Sequence, residues 1–263
     1  MIPPEALELA ENANTYTSLG VSDERIVTDR YVLWMGRGDQ PGWNVAQRFR
    51  LRADELTEVR AEIHQILRDR GRTRCSWEVG SSATPGDLVE RLHALGLVDD
   101  APDSLAIGMV LTEPPAGRPP DGVEVRRART PEERYEAERI AAIGFGEPAP
   151  ATLAAPPPLA APPPLDPDDR KVVYLAYVDG VPVARASASF SEYGVTLFGG
   201  ATLPEARGRG AYRALVAARW EDAVVRGTPV LVTQAGAMSR SILAGLGFRE
   251  VCTIRILVDL FDQ

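Results

Sequence analysis

Between residues 171 and 202 the chain runs as three alternating, β-branched stretches, Lys171 to Val178, Val181 to Ser191 and Val195 to Thr202. Tight-turn pairs, Asp179-Gly180 and Tyr193-Gly194, separate them. After Pro204 the apolar period changes from two to 3.6, with Tyr212, Val216, Trp220, Ala223 and Val224 on one face of a helix that Gly227 closes. An antiparallel meander that feeds straight into an amphipathic helix fits neither an all-helical bundle nor an all-β sandwich. It predicts an α/β (α+β) fold whose helices flank a mixed, mostly antiparallel central sheet.

The surrounding elements extend that pattern. A strand over Val123 to Arg127 precedes a helix opened by Thr130-Pro131-Glu132-Glu133, where hydroxyl and carboxylate can satisfy each other's free amides. After the meander and its helix come a short strand, Val230 to Thr233, and a helix marked by Met238, Ile242 and Leu246 and ended by Gly247. A last apolar strand over Thr253 to Phe261 closes the sheet. The order is β, α, three antiparallel β, α, β, α, β. Leu-Ala-Ala-Pro-Pro-Pro occurs at 153–158 and again at 159–164, which makes 147–169 a Pro-rich loop or lid favouring extended polyproline II.

The first half shows a related order. A mixed Leu/Ala/Glu pattern in the first 22 residues suits a short helix, and Val27 to Gly36 with Val45 to Leu51 reads as a hairpin across a glycine-rich turn. Leu56, Val59, Ile63, Ile66 and Leu67 make a helical stripe over 54–70, and a strand over Thr73 to Val79 follows. Thr84-Pro85-Gly86-Asp87 is expected to cap the next helix, with Leu88, Leu92 and Leu95 on its apolar face, before a strand at Ala106 to Leu111. Leu95-Gly96-Leu97 stands in this half where Leu246-Gly247-Phe248 stands in the other, so the chain is expected to hold two similar halves. The expected division is 1–112, a Pro/Gly linker at 113–122, and 123–263. His64 and His93 fall off the apolar stripes of their helices and are expected at the surface.

Composition narrows the function classes. With 263 residues, 44% hydrophobic and 25% charged, the chain can bury a real core and is neither disordered nor fibrous. A net charge of -8 gives no general attraction to phosphate backbones or anionic lipid, so no nucleic-acid or membrane partner is expected. Only Cys75 and Cys252 are present, without His at metal-ligand spacing, so no metal is expected and both thiols are expected to be buried. The amino terminus lacks a basic and then apolar leader pattern, and a cytoplasmic location is expected.

The sharpest local signal is Leu203-Pro204-Glu205-Ala206-Arg207-Gly208-Arg209-Gly210-Ala211-Tyr212, lying between a strand and an amphipathic helix. Its glycines let the backbone bend, and the first turn of the helix offers unpaired amides and the positive end of its dipole. Arg207 and Arg209 add charge, so the segment is built for an anion. It has neither the Lys-Ser/Thr of a triphosphate loop nor three glycines with a downstream acid, and a pyrophosphate of another kind fits it best.

The Arg207-x-x-Gly210-x-Tyr212 segment after a strand, with the following helix, short strand and Leu246-Gly247-Phe248, resembles the GNAT superfamily of acyl-CoA-dependent N-acyltransferases over about residues 123–261. The resemblance implies that Arg207, Gly208, Arg209, Gly210, Ala211 and Tyr212 hold the pyrophosphate of acetyl-CoA and that Ala201, Thr202 and Leu203 lie along its pantetheine arm. Backbone amides there would stabilise the oxyanion that forms when an amine attacks the thioester. Gly199-Gly200 suits a strand distortion at that point. The family's Tyr that protonates the thiolate aligns with Leu243, its Asn lies near Gly236, and its usual Gly or Ala aligns with Tyr212, so all three are departures. Glu192 is the candidate base, and Ser239, with Ser241, could hydrogen-bond the thiolate or the pantetheine.

In the first half, Arg48 to Asp54 contains no glycine, so this copy is expected to bind no coenzyme A and to wall the acceptor site or support a homodimer. The expected activity is acetyl transfer to an amine of a small molecule or peptide. A non-catalytic coenzyme A or effector sensor of the same fold is the alternative, and an interaction scaffold without cofactor a second.

Overall fold

In a computed structural model the described residues are 2–20, 22–36, 38–102, 104–118, 120–146 and 170–261. The expected Pro-rich loop at 147–169 lies outside them. The chain divides into two compact units, one from Met1–Val110, Gln234–Ala244 and Arg249–Gln263, the other from Leu111–Thr233 and Gly245–Phe248. No helix among the described residues is long and apolar enough to cross a membrane.

The first unit holds α1 (Pro4–Glu11), the strands β1 (Glu24–Val27), β2 (Val32–Met35) and β3 (Asn44–Gln47), α2 (Leu56–Arg68), β4 (Arg74–Gly80), α3 (Leu88–Ala94), β5 (Val98–Asp99) and β6 (Leu105–Leu111). The strand expected as one piece over Val27 to Gly36 is broken, because Thr28 accepts and donates hydrogen bonds around the turn to Tyr31. The result is a three-stranded antiparallel meander, β1-β2-β3, with β3 then pairing parallel with β4 at Val45↔Ser76 and Ala46↔Trp77. The apolar stripe of α2 buries Val59, Ile63 and Leu67 against Phe49, Cys75 and Trp77, whose ring stacks on Phe49 at 4.9 Å. The helix expected from Thr84 starts later, with Asp87 as N-cap and no side-chain cap. Thr84 instead spends its backbone N–H and C=O on Phe49 and Leu51.

The final strand of the chain, β12 (Arg249–Leu260), pairs antiparallel with β4 on one side and with β6 on the other. The order in this unit is β1-β2-β3-β4-β12-β6. That insertion brings Asp259 and Phe261 onto α2. His64 is therefore not at the surface: it is 8% exposed, stacks on Phe261 at 3.9 Å, and its Nε2 lies 2.7 Å from Asp259 Oδ2. His93 is exposed, as expected, Cys75 is fully buried, and Cys252 is only partly covered.

Glu78 on β4 carries the unit's most perturbed carboxyl. Burial pushes it up to about 7 against the pull of a hydrogen bond from Gln234, and its Oε2 is buried without a hydrogen-bond partner among the described residues. A raised carboxyl stays neutral in the folded state up to about pH 7 while the unfolded chain ionises from 4.5, so stability is full below pH 4.5 and is lost as pH rises through 7. Glu78→Gln is expected to flatten that loss and to raise stability at pH 8 by on the order of 1–3 kcal/mol. Melting curves of both proteins at pH 5 and pH 8 measure it, and equal pH slopes would refute it.

The second unit holds β7 (Val123–Arg127), α4 (Pro131–Phe145), β8 (Lys171–Val178), β9 (Val181–Ser191), β10 (Gly194–Thr202) and α5 (Ala211–Val225). It also holds the first residues of β11 (Leu231–Ala235). The order is β11-β10-β9-β8-β7, antiparallel except for the β10–β11 pair. Asp179 and Gly180 both take positive φ, 53° and 78°, as a two-residue hairpin turn of this hand requires. The α4 capping box forms as expected, with Thr130 Oγ1 accepting from the Glu133 amide and Glu133 Oε2 accepting from the Thr130 amide. Gly200 faces Tyr212 of α5 and the adjacent Ala201 faces Gly144 of α4, so the two helices cover opposite faces of the sheet.

α6 (Ala237–Gly245) completes the helices. Met238 and Ile242 on it are 78% and 52% exposed, and its core contact is instead Leu243, which the expected stripe did not include.

Candidate functional site

The second unit gathers its unusual backbone at one end of β10. The parallel register with β11 covers only Val195↔Leu231 and Thr196↔Val232. Beyond it the Thr233 hydroxyl donates to the Leu197 carbonyl at 3.2 Å, and β10 runs on alone on that side. On its other side, Phe198 pairs with Ser187 and Ala201 with Arg185, so Gly199 and Gly200 together oppose the single residue Ala186. This is a β-bulge, and Gly199 takes φ +53° to make it. A Cβ on Gly200 would lie 2.6 Å from Cε2 of Tyr212. The Tyr212 ring thus packs on the bulge, and only glycine leaves room for it.

Downstream of the bulge the chain turns through Pro204–Ala206 into a glycine loop. Gly208 and Gly210 have φ +79° and +81°, and a Cβ on Gly208 would meet nothing within 4 Å. Gly210 is the N-cap of α5 and provides no side-chain cap. The Ala214 amide is the first of the helix to reach an acceptor, the Gly210 carbonyl at 3.0 Å. Among the described residues the amides of Gly208, Gly210, Ala211, Tyr212 and Arg213 have no backbone acceptor, as expected around the first turn of a helix. Arg207 and Arg209 are both exposed. Arg209 pairs with Asp179 at 2.8 Å, and Arg207 reaches the Gly144 carbonyl at 3.4 Å. Amides without backbone acceptors, two exposed arginines in the same loop and no Cβ at Gly208 are compatible with binding an anion.

Polar groups under α5 hold that helix against the sheet. Asp222 accepts from the Tyr174 hydroxyl and from Arg127, at 2.7 Å from Nη2 and 3.1 Å from Nε. Burial, then the Asp222 hydrogen bond, pushes the Tyr174 phenol up. Arg219 is 1% exposed and donates to the carbonyls of Leu215 and Ser187 at 2.9 and 3.3 Å. Burial lowers the Arg219 guanidinium and raises the phenol of its partner Tyr212.

The site residues expected from sequence fall in three places. Arg207 to Tyr212 form the open loop, with Ala201 and Thr202 just after the bulge. The Leu203 amide donates to the Val183 carbonyl at 2.9 Å. Glu192 occupies the exposed β9–β10 turn, beyond Gly194 and so eight residues before Gly200. At about 3.3 Å per strand residue it is roughly 25 Å from the bulge, and the structure does not bring the two together. Ser239 lies in α6 of the first unit, where its hydroxyl donates to the Gly236 carbonyl at 3.3 Å. Leu243 is 1% exposed and part of a core. Sequence reasoning passed over Arg185, whose one signal was a lone arginine between Ala184 and Ala186 in a strand of small residues.

In the first unit the parallel strand pair also separates, with different contacts. β3 leaves β4 after two parallel pairs, and Arg48 then takes φ +56°. Its amide donates to Asn12 Oδ1 at 2.9 Å, and the buried Gln47 amide donates to Thr15 Oγ1 at 2.9 Å. Glu11 Oε1 accepts from the Ser82 amide at 2.6 Å. The segment from α1 to Thr15 thus occupies the backbone and side-chain polar groups beside the end of β3.

No family model matches the chain, and no curated protein matches it. Solved structures do. A GCN5-related N-acetyltransferase from Kribbella flavida is 21% identical with a TM-score of 0.71, over 97% of this chain and 95% of that one. A tandem GNAT protein from the clavulanic acid biosynthesis pathway is 15% identical with a TM-score of 0.61, over 98% and 94%. A GCN5-related N-acetyltransferase from Sphaerobacter thermophilus is 17% identical with a TM-score of 0.57, over 89% and 82%. Bulged strand, glycine loop and helix order, together with end-to-end superposition on such proteins, give this chain the fold of the GNAT N-acetyltransferases, in the tandem arrangement.

Proposed function

We propose that the chain is an acyl-CoA N-acyltransferase with one active unit, built on residues 123–233, and a degenerate first unit. The observation that carries this is the bulge at Gly199-Gly200 placed directly upstream of the open-amide loop from Gly208 to Arg213. Acetyl-CoA supplies an activated acyl group as a thioester. Arg207, Arg209 and the amides of Gly208, Gly210 and Ala211 hold its pyrophosphate, and the strand edge around Ala201 and Thr202, left without β11, receives the pantetheine arm. An amine of a small molecule or peptide attacks the thioester carbon, the C–N bond forms, the C–S bond breaks, and the amine's proton ends on the thiolate. A bulge amide donates to the oxygen that becomes negative. Deprotonation through water needs no close carboxylate, so the distance of Glu192 from the bulge is no obstacle.

Calorimetric titration with acetyl-CoA and with coenzyme A tests the site, followed by thiol release in the presence of a panel of amines. Binding of one molecule per chain is the expected result, since Asn12, Thr15 and Glu11 already take up the polar groups beside the end of β3 and Ser82 in the first unit. Two molecules per chain would reject the degenerate assignment, and none would reject the acyltransferase. A second reading, a coenzyme A sensor without turnover, is favoured by the buried Leu243 where the family carries a tyrosine acid. Binding without thiol release for any amine supports it.

A further inference from the structure

Arg185 is the most unusual side chain near the bulge. It lies on β9 as the register partner of Ala201, and the residue is 7% exposed. Its Nη1 donates to the Gly199 carbonyl at 2.9 Å, and its Nη2 lies 3.3 Å from Glu138 Oε1 on α4, a carboxylate that is 66% exposed. Its Nε is buried with no hydrogen-bond partner among the described residues. A guanidinium half-satisfied in the interior is costly, and packing alone would be served better by an apolar side chain.

The contact has a geometric consequence. The Gly199–Gly200 peptide is trans, so its C=O and N–H point in opposite directions. Fixing the carbonyl on the guanidinium turns the Gly200 N–H away from Arg185. That N–H belongs to a residue with no register partner in β9 or β11. A cation on the carbonyl oxygen also polarises the same peptide and strengthens its N–H as a donor, because hydrogen bonds in series reinforce one another.

We propose that Arg185 is a positioning residue for acyl transfer, which anchors the Gly199 carbonyl so that the Gly200 amide is aimed and polarised as the donor to the thioester oxygen. The inference rests on the acyl-CoA reading above. Glu138 keeps the guanidinium in place from the solvent side and shares its charge.

The test is Arg185→Met, which keeps length and packing and removes the donors. Calorimetry gives the affinities for coenzyme A and acetyl-CoA, and infrared difference spectra of carbonyl-labelled acetyl-CoA report the hydrogen bond on the thioester oxygen. In the wild type the bound carbonyl stretch is expected below that of free acetyl-CoA. In Arg185→Met the expected results are unchanged coenzyme A affinity, loss of the downward carbonyl shift, and loss of any preference for acetyl-CoA over coenzyme A. Should Arg185→Met fail to fold by circular dichroism, Arg185→Leu takes its place, because it likewise removes every donor from the Gly199 carbonyl. A variant that keeps the wild-type carbonyl shift, or a folded one that loses both ligands equally, overturns the positioning role and leaves the acyl-CoA reading standing. A wild type that binds neither ligand overturns that reading, and this inference with it.

Discussion

Gly210→Asp is expected to abolish binding of coenzyme A and acetyl-CoA, with a loss of at least roughly 100-fold in affinity, since several charge-assisted hydrogen bonds fail together. Three effects act in one direction. Gly210 sits at φ +81°, where a side chain is strained. A Cβ there would meet Pro120 Cγ at 2.4 Å, so the loop must shift to accept it. The new carboxylate would then stand at the start of α5, take the unpaired amides as a helix cap, and repel the pyrophosphate they are proposed to hold. Gly208→Ala separates strain from charge, because Gly208 has the same backbone hand and open space around it. It is expected to cost only the backbone strain of order 1 kcal/mol. Calorimetry on the three proteins decides: equal affinities for wild type and Gly210→Asp would remove the loop from the cofactor site.

Asp259→Ala is expected to destabilise the first unit by about 3 kcal/mol, the cost of removing one partner of a buried ion pair. Asp259 is 1% exposed and accepts from Arg60 at 2.7 and 2.8 Å, and its Oδ2 lies 2.7 Å from His64 Nε2. Its loss leaves two cationic or polar groups on α2 facing an apolar strand. Burial by itself would push the Asp259 carboxyl up, but the hydrogen bonds from Arg60 and His64 outweigh it and hold the group below the usual range. A lowered carboxyl contributes stability that is present above its ordinary pKa of 3.8 and is lost as pH falls through the lowered value. The variant is therefore expected to melt well below the wild type near neutral pH and to converge on it in strong acid. A parallel offset at every pH would show that the ionised carboxylate is not the stabilising species.

Much of the architecture is legible in the chain because it is written in local rules. Asp179-Gly180 can turn only one way, the Thr130 to Glu133 box caps only a helix, and a glycine loop before an amphipathic helix leaves amides open whatever surrounds it. Period and turn chemistry act over a few residues, and they survive without knowledge of the rest. The bulge belongs to this class too, since paired glycines in a strand signal it.

What only the tertiary structure decides depends on partners distant in sequence. His64 is off the stripe of its helix and looks like a surface residue until β12, nearly 200 positions away, brings Asp259 and Phe261 against it. Arg185 is one charge in a strand until the bulge of β10 turns the Gly199 carbonyl toward it. Asn12 gains its meaning from the amide of Arg48. Glu192, adjacent to the right strand in sequence, is removed from the bulge by the length of that strand. Sequence periodicity by itself determined where most of the helices and strands lie. Strand insertion and register, which depend on the sum of many weak contacts across the whole fold, decided which side chains meet.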